Sequence, residues 1–402
     1  MPSPVRPNYL KYNDNADKRK LLYNLCRAPV AQLDRASASE AEGHRFDSCR
    51  ARHFFEEETN VKAFFDSRQD LHHPRTYFTR GQMRAPQEIP ERTQHIRTGL
   101  EGSGFATQEP ADRGMRPINR VHDLGYLRFL QSCHKEWTSM PDDWGSEVIS
   151  NIFVRSPNPL RGILAEAACY LADGSCPVGE HTWEAAYWSA QCAVNAADEV
   201  IQGAPMSFAL CRPPGHHARH DAAGGFCYLN NAAIAAEALR ARYPRIAILD
   251  TDVHHGQGIQ EIFYERADVL YVSIHGDPTN FYPVVTGFEE ERGRGEGLGY
   301  NINLPLPHGS SAEAFHQQLD EALTAIELFA PDAFVFCNGF DIYREDPQAK
   351  IGVEPEDIQQ LGRRISQLRL PTVVIQEGGY HYESLASNTE RLLAGLSSAS
   401  LA

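Results

Sequence analysis

The chain has 402 residues and a formal net charge of −15. That length suits two or three domains, or one large α/β domain. The acidic balance disfavours nucleic acid as a partner, because phosphate binding needs basic patches, and it is compatible with a cationic substrate. No apolar run is long enough for a transmembrane helix, and the nine cysteines lack the spacing of a disulfide framework or zinc ribbon. We therefore expect a cytoplasmic protein, since the first residues also lack the apolar core of a signal peptide.

Residues 1–60 hold polar and charged side chains without a helical or strand period, which predicts a disordered extension. Within it, residues 28–37 resemble the peptide that results when a transfer-RNA gene is translated. We therefore hypothesise a true start near Val61, which mass spectrometry of the native N-terminus would test.

Regular patterns begin at Val61 and extend to residue 402, which we take as the main domain. A short strand is expected at 61–65, a helix from Pro90 to Leu100, a turn entering a helix at 121–130, and an Ala-rich helix over Thr182–Ile201. Residues 134–182 are rich in Trp, Pro and Gly and show little period. A loop of that length is predicted to be a functional insertion.

The second half alternates between apolar runs and helical segments. The apolar runs are Ser207–Cys211, Ile246–Leu249, Val269–Ile274, Ala333–Cys337 and Thr372–Ile375. The helical segments are Asn231–Tyr243, Ala312–Phe329 and Pro355–Leu368. This alternation predicts one α/β domain with a mostly parallel central sheet and helices on both faces.

Polar clusters follow each of these apolar runs. They occupy residues 212–217, 250–256, 275–278, 338–341 and 376–380. In open α/β sheets, ligands bind outside the carboxyl ends of the strands. The five clusters are therefore expected to meet at one edge of the sheet and form an active site.

Three residues in these clusters suit a catalytic metal. Asp252, His254 and Asp341 would supply three ligands and leave a fourth position open for water or substrate. Two carboxylates with one imidazole suit Zn²⁺, with Fe²⁺ or Mn²⁺ as alternatives. Each residue taken alone has a plainer interpretation, since Asp252 and His254 could be loop residues and Asp341 a helix cap.

The polar clusters also contain candidate residues for proton transfer and for stabilisation of an oxyanion. His216 and His217 could act as general base and acid, provided that Gly215 makes a turn, because consecutive residues of a strand point in opposite directions. Tyr380 follows two glycines and could donate its phenol to an oxyanion. Taken alone, a histidine pair in a loop more often lies on the surface without a catalytic role, and a tyrosine after two glycines is more often a packing residue.

Four motifs together resemble the histone deacetylase superfamily. They are Arg-Pro-Pro-Gly-His-His-Ala at 212–218, Gly-Gly-Phe-Cys-Tyr-Leu-Asn-Asn at 224–231, Leu-Asp-Thr-Asp-Val-His-His-Gly-Gln-Gly at 249–258 and Glu-Gly-Gly-Tyr at 377–380. Further residues at 262–266, 275–278 and 346–347 look closer to the bacterial acetylpolyamine amidohydrolase and histone deacetylase-like amidohydrolase branch. The resemblance covers the chain from about Val61 onward.

The resemblance implies a zinc-dependent deacetylase with an arginase-like α/β fold. The implied metal ligands are Asp252, His254 and Asp341, the implied catalytic residues are His216, His217, Tyr380, Asp250 and Gln257, and the implied substrate-binding residues are Gly225, Phe226 and Tyr282. The family's early insertion, here at about 134–182, is expected to shape the entrance and to contact a second subunit. That would give a homodimer that favours narrow, flexible, cationic substrates.

The resemblance also implies two sites for a structural K⁺ or Na⁺. The first would use Asp250, Asp252, His254, Ser273 and Ile274, and the second would use Phe263, Arg266, Val269 and Tyr300, mostly through backbone carbonyls. Asp250 could instead orient the histidine pair, and both roles stay open at this point.

The chain departs from the family pattern in two places. Gln257 stands where many relatives carry Asp and others Asn, and a neutral partner stabilises an imidazolium less than a carboxylate does. We therefore expect His217 to be neutral at rest. Asn338 and Phe340 are also unusual, and Phe340 is expected to narrow or tilt the site.

The predicted activity is hydrolysis of N-acetylated amines to acetate and a free amine, with acetylpolyamines preferred. Acetyl-lysine in peptides or proteins is the second substrate class. A catalytically silent sensor of acyl ligands is a rival, although it would need neither the histidine pair nor Tyr380. An arginase-like ureohydrolase is another rival, but it would require a two-metal site with more bridging carboxylates than the sequence offers.

Overall fold

A central sheet of eight strands organises residues 61–154 and 159–398, the part of the chain that the computed structural model describes. The described chain has twelve strands, which are β1 (Ala63–Phe64), β2 (Tyr77–Thr79), β3 (Gln82–Arg84), β4 (Thr107–Gln108), β5 (Met206–Ala209), β6 (Ile246–Asp250), β7 (Val269–Gly276), β8 (Asn301–Leu306), β9 (Ser310–Ser311), β10 (Ala333–Asn338), β11 (Ile351–Gly352) and β12 (Thr372–Gln376). Strands β2 and β3 form a separate two-stranded sheet, as do β9 and β11. The sheet order is β4-β1-β5-β12-β10-β6-β7-β8, and all neighbours are parallel. The predicted parallel α/β sheet is confirmed, whereas the predictions for residues 1–60 lie outside the described residues.

Helices cover both faces of this sheet. They are α1 (Glu91–Gly102), α2 (Leu124–Thr138), α3 (Ile163–Tyr170), α4 (Thr182–Ile201), α5 (Asn231–Leu239), α6 (Gln257–Phe263), α7 (Ala312–Phe329), α8 (Pro355–Ser366) and α9 (Tyr382–Leu396). The apolar sides of α2, α4 and α5 join one core layer, and those of α1, α7, α8 and α9 join the other. Within the described chain, no helix combines the length and apolar character needed to cross a bilayer.

Strand β10 shows why the central strands read as unbroken apolar runs. Val335 and Cys337 belong to one core layer, whereas Phe334 and Phe336 belong to the other. Successive side chains of a strand point to opposite faces, and here both faces are covered by helices. Each such fully buried large side chain contributes about 1.5–3 kcal/mol to the hydrophobic stabilisation of the fold.

Neither edge strand of the central sheet, β4 or β8, was predicted, and β8 has a clear physical reason. Its inward side chains include Asn301 and Asn303, which are buried and each donate a hydrogen bond to the Gln260 side-chain oxygen at 2.9 Å. A search for apolar runs does not detect a strand whose buried positions are amides. Helices α6 and α9 were also not predicted.

The insertion at 134–182 contains more regular structure than expected. Helix α2 continues to Thr138, α3 forms near the end of the insertion, and Val148 pairs with Val178 in an isolated antiparallel bridge. The expectation of a long irregular loop was wrong for α3. That helix has about two turns, too few for its buried residues Ile163 and Ala167 to show a readable period.

The carboxyl edge of the sheet is assembled by parallel register. Asp250 lies opposite Cys337 of β10 on one side and Ser273 of β7 on the other. Beyond the strand ends, the Val253 amide donates to an Asp341 carboxylate oxygen at 2.9 Å, and the Gly378 amide donates to Asp252 Oδ2 at 2.8 Å. The loops after β6, β10 and β12 are thereby joined directly to one another.

Candidate active site

The two adjacent histidines face one another across a turn. His216 and His217 are buried, with ring centroids 3.8 Å apart and ring planes inclined by 38°. Gly215 permits this turn, because a Cβ atom there would lie 2.5 Å from the Asn231 amide nitrogen. The turn that the sequence analysis required for a shared site is therefore present.

Each histidine has its own partner at Nδ1. His216 Nδ1 lies 3.0 Å from Asp250 Oδ2, and His217 Nδ1 lies 2.6 Å from Gln257 Oε1. Asp250 also accepts a hydrogen bond from the Tyr271 hydroxyl at 3.0 Å. Of the two roles left open for Asp250, its side chain is placed to orient His216.

The two imidazoles have opposite charge preferences. Burial alone would lower the pKa of His216, but the charges of Asp252 and Asp250 outweigh it and raise the pKa to about 10. Burial lowers the pKa of His217 well below its usual value, and the neighbouring His216 lowers it further. The charge of Asp252 and the hydrogen bond to the neutral Gln257 raise the pKa of His217, but they do not reverse the shift. The expectation of a neutral His217 agrees with this direction.

Asp252, His254 and Asp341 form a buried cluster whose potential ligand atoms all lie within 4.8 Å of one another. His254 Nδ1 lies 3.1 Å from Asp252 Oδ1 and 3.3 Å from Asp341 Oδ2. Apart from this contact with His254, the buried Asp341 Oδ2 accepts no hydrogen bond from the residues that the structure describes, and burial together with the charge of Asp252 raises the pKa of Asp341. Two facing carboxylates and an imidazole in a buried site are a donor set that a divalent cation would satisfy.

Tyr380 is held at the same edge by a tight loop. Gly379 adopts a φ of +124°, a conformation that side chains other than glycine rarely adopt, and the Tyr380 amide donates to Asp346 Oδ2 at 2.5 Å. The buried Arg92 guanidinium donates to Glu377 O at 2.6 Å and to Gly379 O at 2.7 Å. It also lies 4.9 Å from the centre of the Tyr380 ring.

These groups open into a cavity of about 490 Å³. Its lining includes His217, His254, Tyr380, Gly225, Phe226, Tyr282, Tyr77, Arg80 and Arg84. Tyr77 stacks on Phe226 with ring centroids 4.5 Å apart, and Tyr282 meets the His217 ring edge-on at 4.8 Å. The predicted residues His217, His254 and Tyr380 thus line an aromatic-walled cavity together with the three predicted substrate-binding residues. Four predicted residues that do not line it contact these side chains, namely His216 and Gln257 at His217, and Asp252 and Asp341 at His254.

Gly225 leaves room for this arrangement. Its φ is +53°, and an added Cβ would lie 2.3 Å from His217 Cδ2 and 2.8 Å from Tyr282 Cε1. Glycine is therefore required twice, once by its backbone conformation and once by the approach of two rings.

Phe340 does not have the place expected for it. It is buried in the core layer against Gly379, and it is not among the described residues that line the cavity. Phe340 therefore does not narrow this cavity directly, whereas a tilt of the site by Phe340 stays a prediction. Asn338, the other unusual residue, donates to the Gln376 side-chain oxygen at 3.1 Å behind the site.

The residues of the two implied monovalent-cation sites lie along β6, β7 and their flanking loops. In the first set, Ser273 is paired in register with Asp250. In the second, the Phe263 carbonyl accepts from the Arg266 amide at 3.0 Å, and the Tyr300 carbonyl accepts from the Tyr271 amide at 3.0 Å. Val269 begins β7, and Ile274 follows Ser273. Ion binding at either set stays a prediction.

Several residues support the site in roles that were not predicted from the sequence, namely Arg92, Asp346, Glu377, Asp173 and Tyr77. Glu377 Oε2, for example, accepts from the amides of Gly215 and His216 at 2.7 and 3.1 Å. Arg92 lies in helix α1, far in sequence from the catalytic motifs, and no local sequence pattern identifies it as a support of the site. Only its burial and its contacts with the Tyr380 loop reveal a connection to the site.

Comparison with known proteins agrees with this architecture. The family described as "Histone deacetylase domain" matches residues 86–396. An acetylpolyamine amidohydrolase of Burkholderia pseudomallei (strain 1710b) is 64% identical over 332 residues, which cover 83% of this chain and 97% of that protein. Acetylpolyamine amidohydrolase 1 of Pseudomonas aeruginosa is 41% identical over 81% of this chain and 95% of its own length.

Solved structures give the same result. The crystal structure of an acetylpolyamine aminohydrolase from Burkholderia pseudomallei has a TM-score of 0.84 and 63% identity, and the match covers 84% of this chain and 99% of that one. The HDA15 HD domain has a TM-score of 0.69 at 26% identity, covering 85% and 90% of the two chains. The chain therefore belongs to the histone deacetylase family, a family of hydrolases that includes the acetylpolyamine amidohydrolases.

Proposed function

We propose that the protein is a zinc-dependent deacetylase that hydrolyses N-acetylated amines, with acetylpolyamines preferred, to acetate and a free amine. The observation that carries the proposal is the meeting of the histidine pair, the Asp252, His254 and Asp341 cluster and Tyr380 at the inner end of one cavity. The names of the relatives support the same chemistry, since two of them are acetylpolyamine amidohydrolases.

Asp252, His254 and Asp341 would hold the metal ion. Their donor set suits Zn²⁺, with Fe²⁺ as the alternative. When bound, the ion supplies a Lewis acid that polarises the amide carbonyl and lowers the pKa of water. The buried Asp341 oxygen that accepts no hydrogen bond within the described chain supports this assignment.

The remaining steps belong to side chains of the chain. His217, neutral and at the cavity wall, would take the proton of the attacking water. His216 is held by Asp250 and can share in delivering a proton to the leaving amine nitrogen as the C–N bond breaks. The Tyr380 hydroxyl would donate to the oxyanion, and Arg92 and Asp346 would keep its loop in place.

The shape of the cavity supports a slender substrate. Its walls are the rings of Phe226, Tyr77 and Tyr282, which can contact a methylene chain and also attract an ammonium group. Acetylated polyamines combine both features. Acidic residues of the insertion such as Glu147 could bind the distal ammonium, but Glu147 accepts from the Arg75 amide at 3.0 Å and is not among the described lining residues.

Acetyl-lysine in peptides is the second candidate. The observation in its favour is that Arg80 and Arg84 line the cavity, whereas no Asp or Glu side chain of the described residues lines it. These cations would repel a polyamine and could pair with acidic residues beside an acetyl-lysine.

The decisive experiment compares kcat/KM for acetylputrescine, acetylspermidine and two acetyl-lysine peptides, one with acidic and one with neutral flanks, on zinc-loaded protein. We expect the acetylpolyamines to react fastest. A faster acidic peptide would transfer the assignment to the second candidate, and no turnover of any substrate would favour a silent sensor. One zinc per chain by elemental analysis would exclude the two-metal ureohydrolase.

We also propose a homodimer formed through the insertion. Ile152, Phe153 and Val154 are consecutive and 50%, 53% and 43% exposed, an apolar run that a second copy could cover. We expect sedimentation to report a dimer and Phe153→Glu to weaken it. A monomeric wild-type protein at micromolar concentration would contradict the proposal.

Two further proposals concern ions and location. K⁺ or Na⁺ would bind the two sets of carbonyl and side-chain oxygens described above. Thermal unfolding in KCl, compared with an equal concentration of tetramethylammonium chloride, should then show a higher midpoint in KCl. The cytoplasmic location stays a prediction that fractionation of the source cells would test.

A further inference from the structure

The insertion reaches the histidine pair through one carboxylate. The Ala172 amide donates to Ala223 O at 2.8 Å, which brings the next residue, Asp173, against the Gly224–Gly225 turn. Asp173 Oδ2 then accepts from the Gly225 amide at 3.0 Å and from the Tyr282 hydroxyl at 2.7 Å. Gly224 leaves room for this approach, because a Cβ there would lie 3.0 Å from the Tyr282 hydroxyl and 3.3 Å from Asp173 Oδ2.

Four hydrogen atoms point at the Asp173 carboxylate. Its other oxygen, Oδ1, accepts from the Ser175 amide at 2.8 Å and from the Ser175 hydroxyl. An ionised carboxylate only accepts, so it satisfies all four donors, whereas an amide of the same shape would present its own donors on one side. The site is built for a carboxylate.

The donors and acceptors of the hydrogen bonds that link Tyr282, Gln257 and His217 follow from the number of protons on each group. Tyr282 has a single hydroxyl proton, which it donates to Asp173, so its oxygen must accept from Gln257 Nε2 at 3.1 Å. The amide of Gln257 is thereby oriented with Oε1 toward His217 Nδ1, 2.6 Å away. Oε1 can only accept, so Nδ1 carries the proton and Nε2 keeps its lone pair.

Because residue 257 is a glutamine, the orientation of its side-chain amide decides which nitrogen of His217 carries the proton. A carboxylate at 257 would accept from His217 Nδ1 in either orientation. The amide of Gln257 can turn over and donate to Nδ1 instead, which would select the other tautomer of a neutral imidazole and remove its basic Nε2. Something beyond Gln257 must choose between the two orientations.

We propose that Asp173 is a positioning residue that sets the direction of the hydrogen-bond chain through Tyr282 and Gln257, and so holds His217 in the tautomer whose Nε2 can accept a proton. The role in catalysis rests on the proposed deacetylase function. The tautomer itself does not, so it can be measured whether or not any substrate is turned over.

The test is the tautomer of His217 in zinc-loaded protein carrying ¹⁵N-labelled histidine, with the His217 signal assigned by its loss in His217→Ala. We expect a proton on Nδ1 in the wild type and a mixture or reversal in Asp173→Asn. Tyr282→Phe should have the same effect, because it breaks the chain one link later. If deacetylation is confirmed, both variants should lose about 10- to 100-fold in kcat, as is usual for supporting hydrogen bonds.

The matched control is Asp142→Asn, which removes an exposed carboxylate from the same insertion and should change neither quantity. Adding Gln257→Glu to Asp173→Asn should restore the proton on Nδ1, because a carboxylate there needs no orienting partner. The proposal is overturned if folded Asp173→Asn keeps the wild-type tautomer. Should that variant fail to fold, an unchanged tautomer in folded Tyr282→Phe overturns it equally.

Discussion

Arg92 offers the sharpest test of how the site is supported from outside the catalytic motifs. Its guanidinium is buried and forms an ion pair with the equally buried Glu88, with Arg92 Nη1 2.8 Å from Glu88 Oε1. The same group donates to the carbonyls on either side of Gly378, which precede Tyr380. Replacing Arg92 with methionine keeps much of the side-chain volume and removes the positive charge and every side-chain donor.

The magnitude follows from burial. Removing one partner of a buried ion pair typically costs 3–5 kcal/mol, because the other charge remains without compensation. Glu88 keeps a second partner, since Arg212 Nε lies 2.9 Å from Glu88 Oε1, so we expect the lower end, about 3 kcal/mol. The freed Tyr380 loop should also lower kcat by about 10- to 100-fold.

The control is Arg97→Met on the same helix. Arg97 is partly exposed, and Arg97 Nη2 lies 3.7 Å from Glu101 Oε1, so its loss should cost less than about 1 kcal/mol and leave kcat unchanged. Urea unfolding followed by circular dichroism gives both free energies. Equal destabilisation of the Arg92 and Arg97 variants would refute the reasoning, and so would a destabilised Arg92 variant that retains full kcat.

Four further changes test the site and its surroundings. Tyr380→Phe should lower kcat by about 10²–10³-fold with little change in stability, as measured by initial rates and thermal unfolding, because only an oxyanion donor is lost. Asp341→Asn should reduce zinc stoichiometry, measured by elemental analysis after dialysis, because a charged ligand is lost. Gly225→Ala should cost about 1–2 kcal/mol in backbone strain and about 1–3 kcal/mol in overpacking, measured by urea unfolding. His122 is buried, and burial lowers its pKa to about 4 from 6.5 in the unfolded chain. The unfolded state therefore binds the proton first, and stability should fall by up to about 3 kcal/mol as pH drops from 6.5 toward 4, an effect that His122→Asn should reduce.

Each of these has an outcome that would contradict it. Unchanged turnover in Tyr380→Phe would remove that hydroxyl from the mechanism, and full zinc content in Asp341→Asn would remove that carboxylate from the metal site. Wild-type stability of Gly225→Ala would mean that the His217 and Tyr282 rings can move aside. An identical pH dependence in the His122 variant would assign the acid loss of stability to other groups.

The local sequence pattern was enough to predict the central strands of the sheet and most of the candidate catalytic residues. Strands β6, β7, β10 and β12 are buried on both faces, so apolar residues occupy most of their positions without the period of an amphipathic helix. Because parallel strands share a direction, the polar residues after each run had to lie at one edge. The same logic failed at β8, where buried amides replace apolar side chains.

The sequence by itself therefore determined which residues could do chemistry, through motifs in which reactive side chains stand directly beside turns and strand ends. Only the tertiary structure decided which residues position these reactive side chains. Arg92 supports Tyr380 from 288 positions earlier in the chain, and Asp173 acts on His217 through two intervening side chains. Such supports depend on hydrogen-bond geometry between segments that are distant in sequence, and nothing in the local period or composition of either segment encodes it.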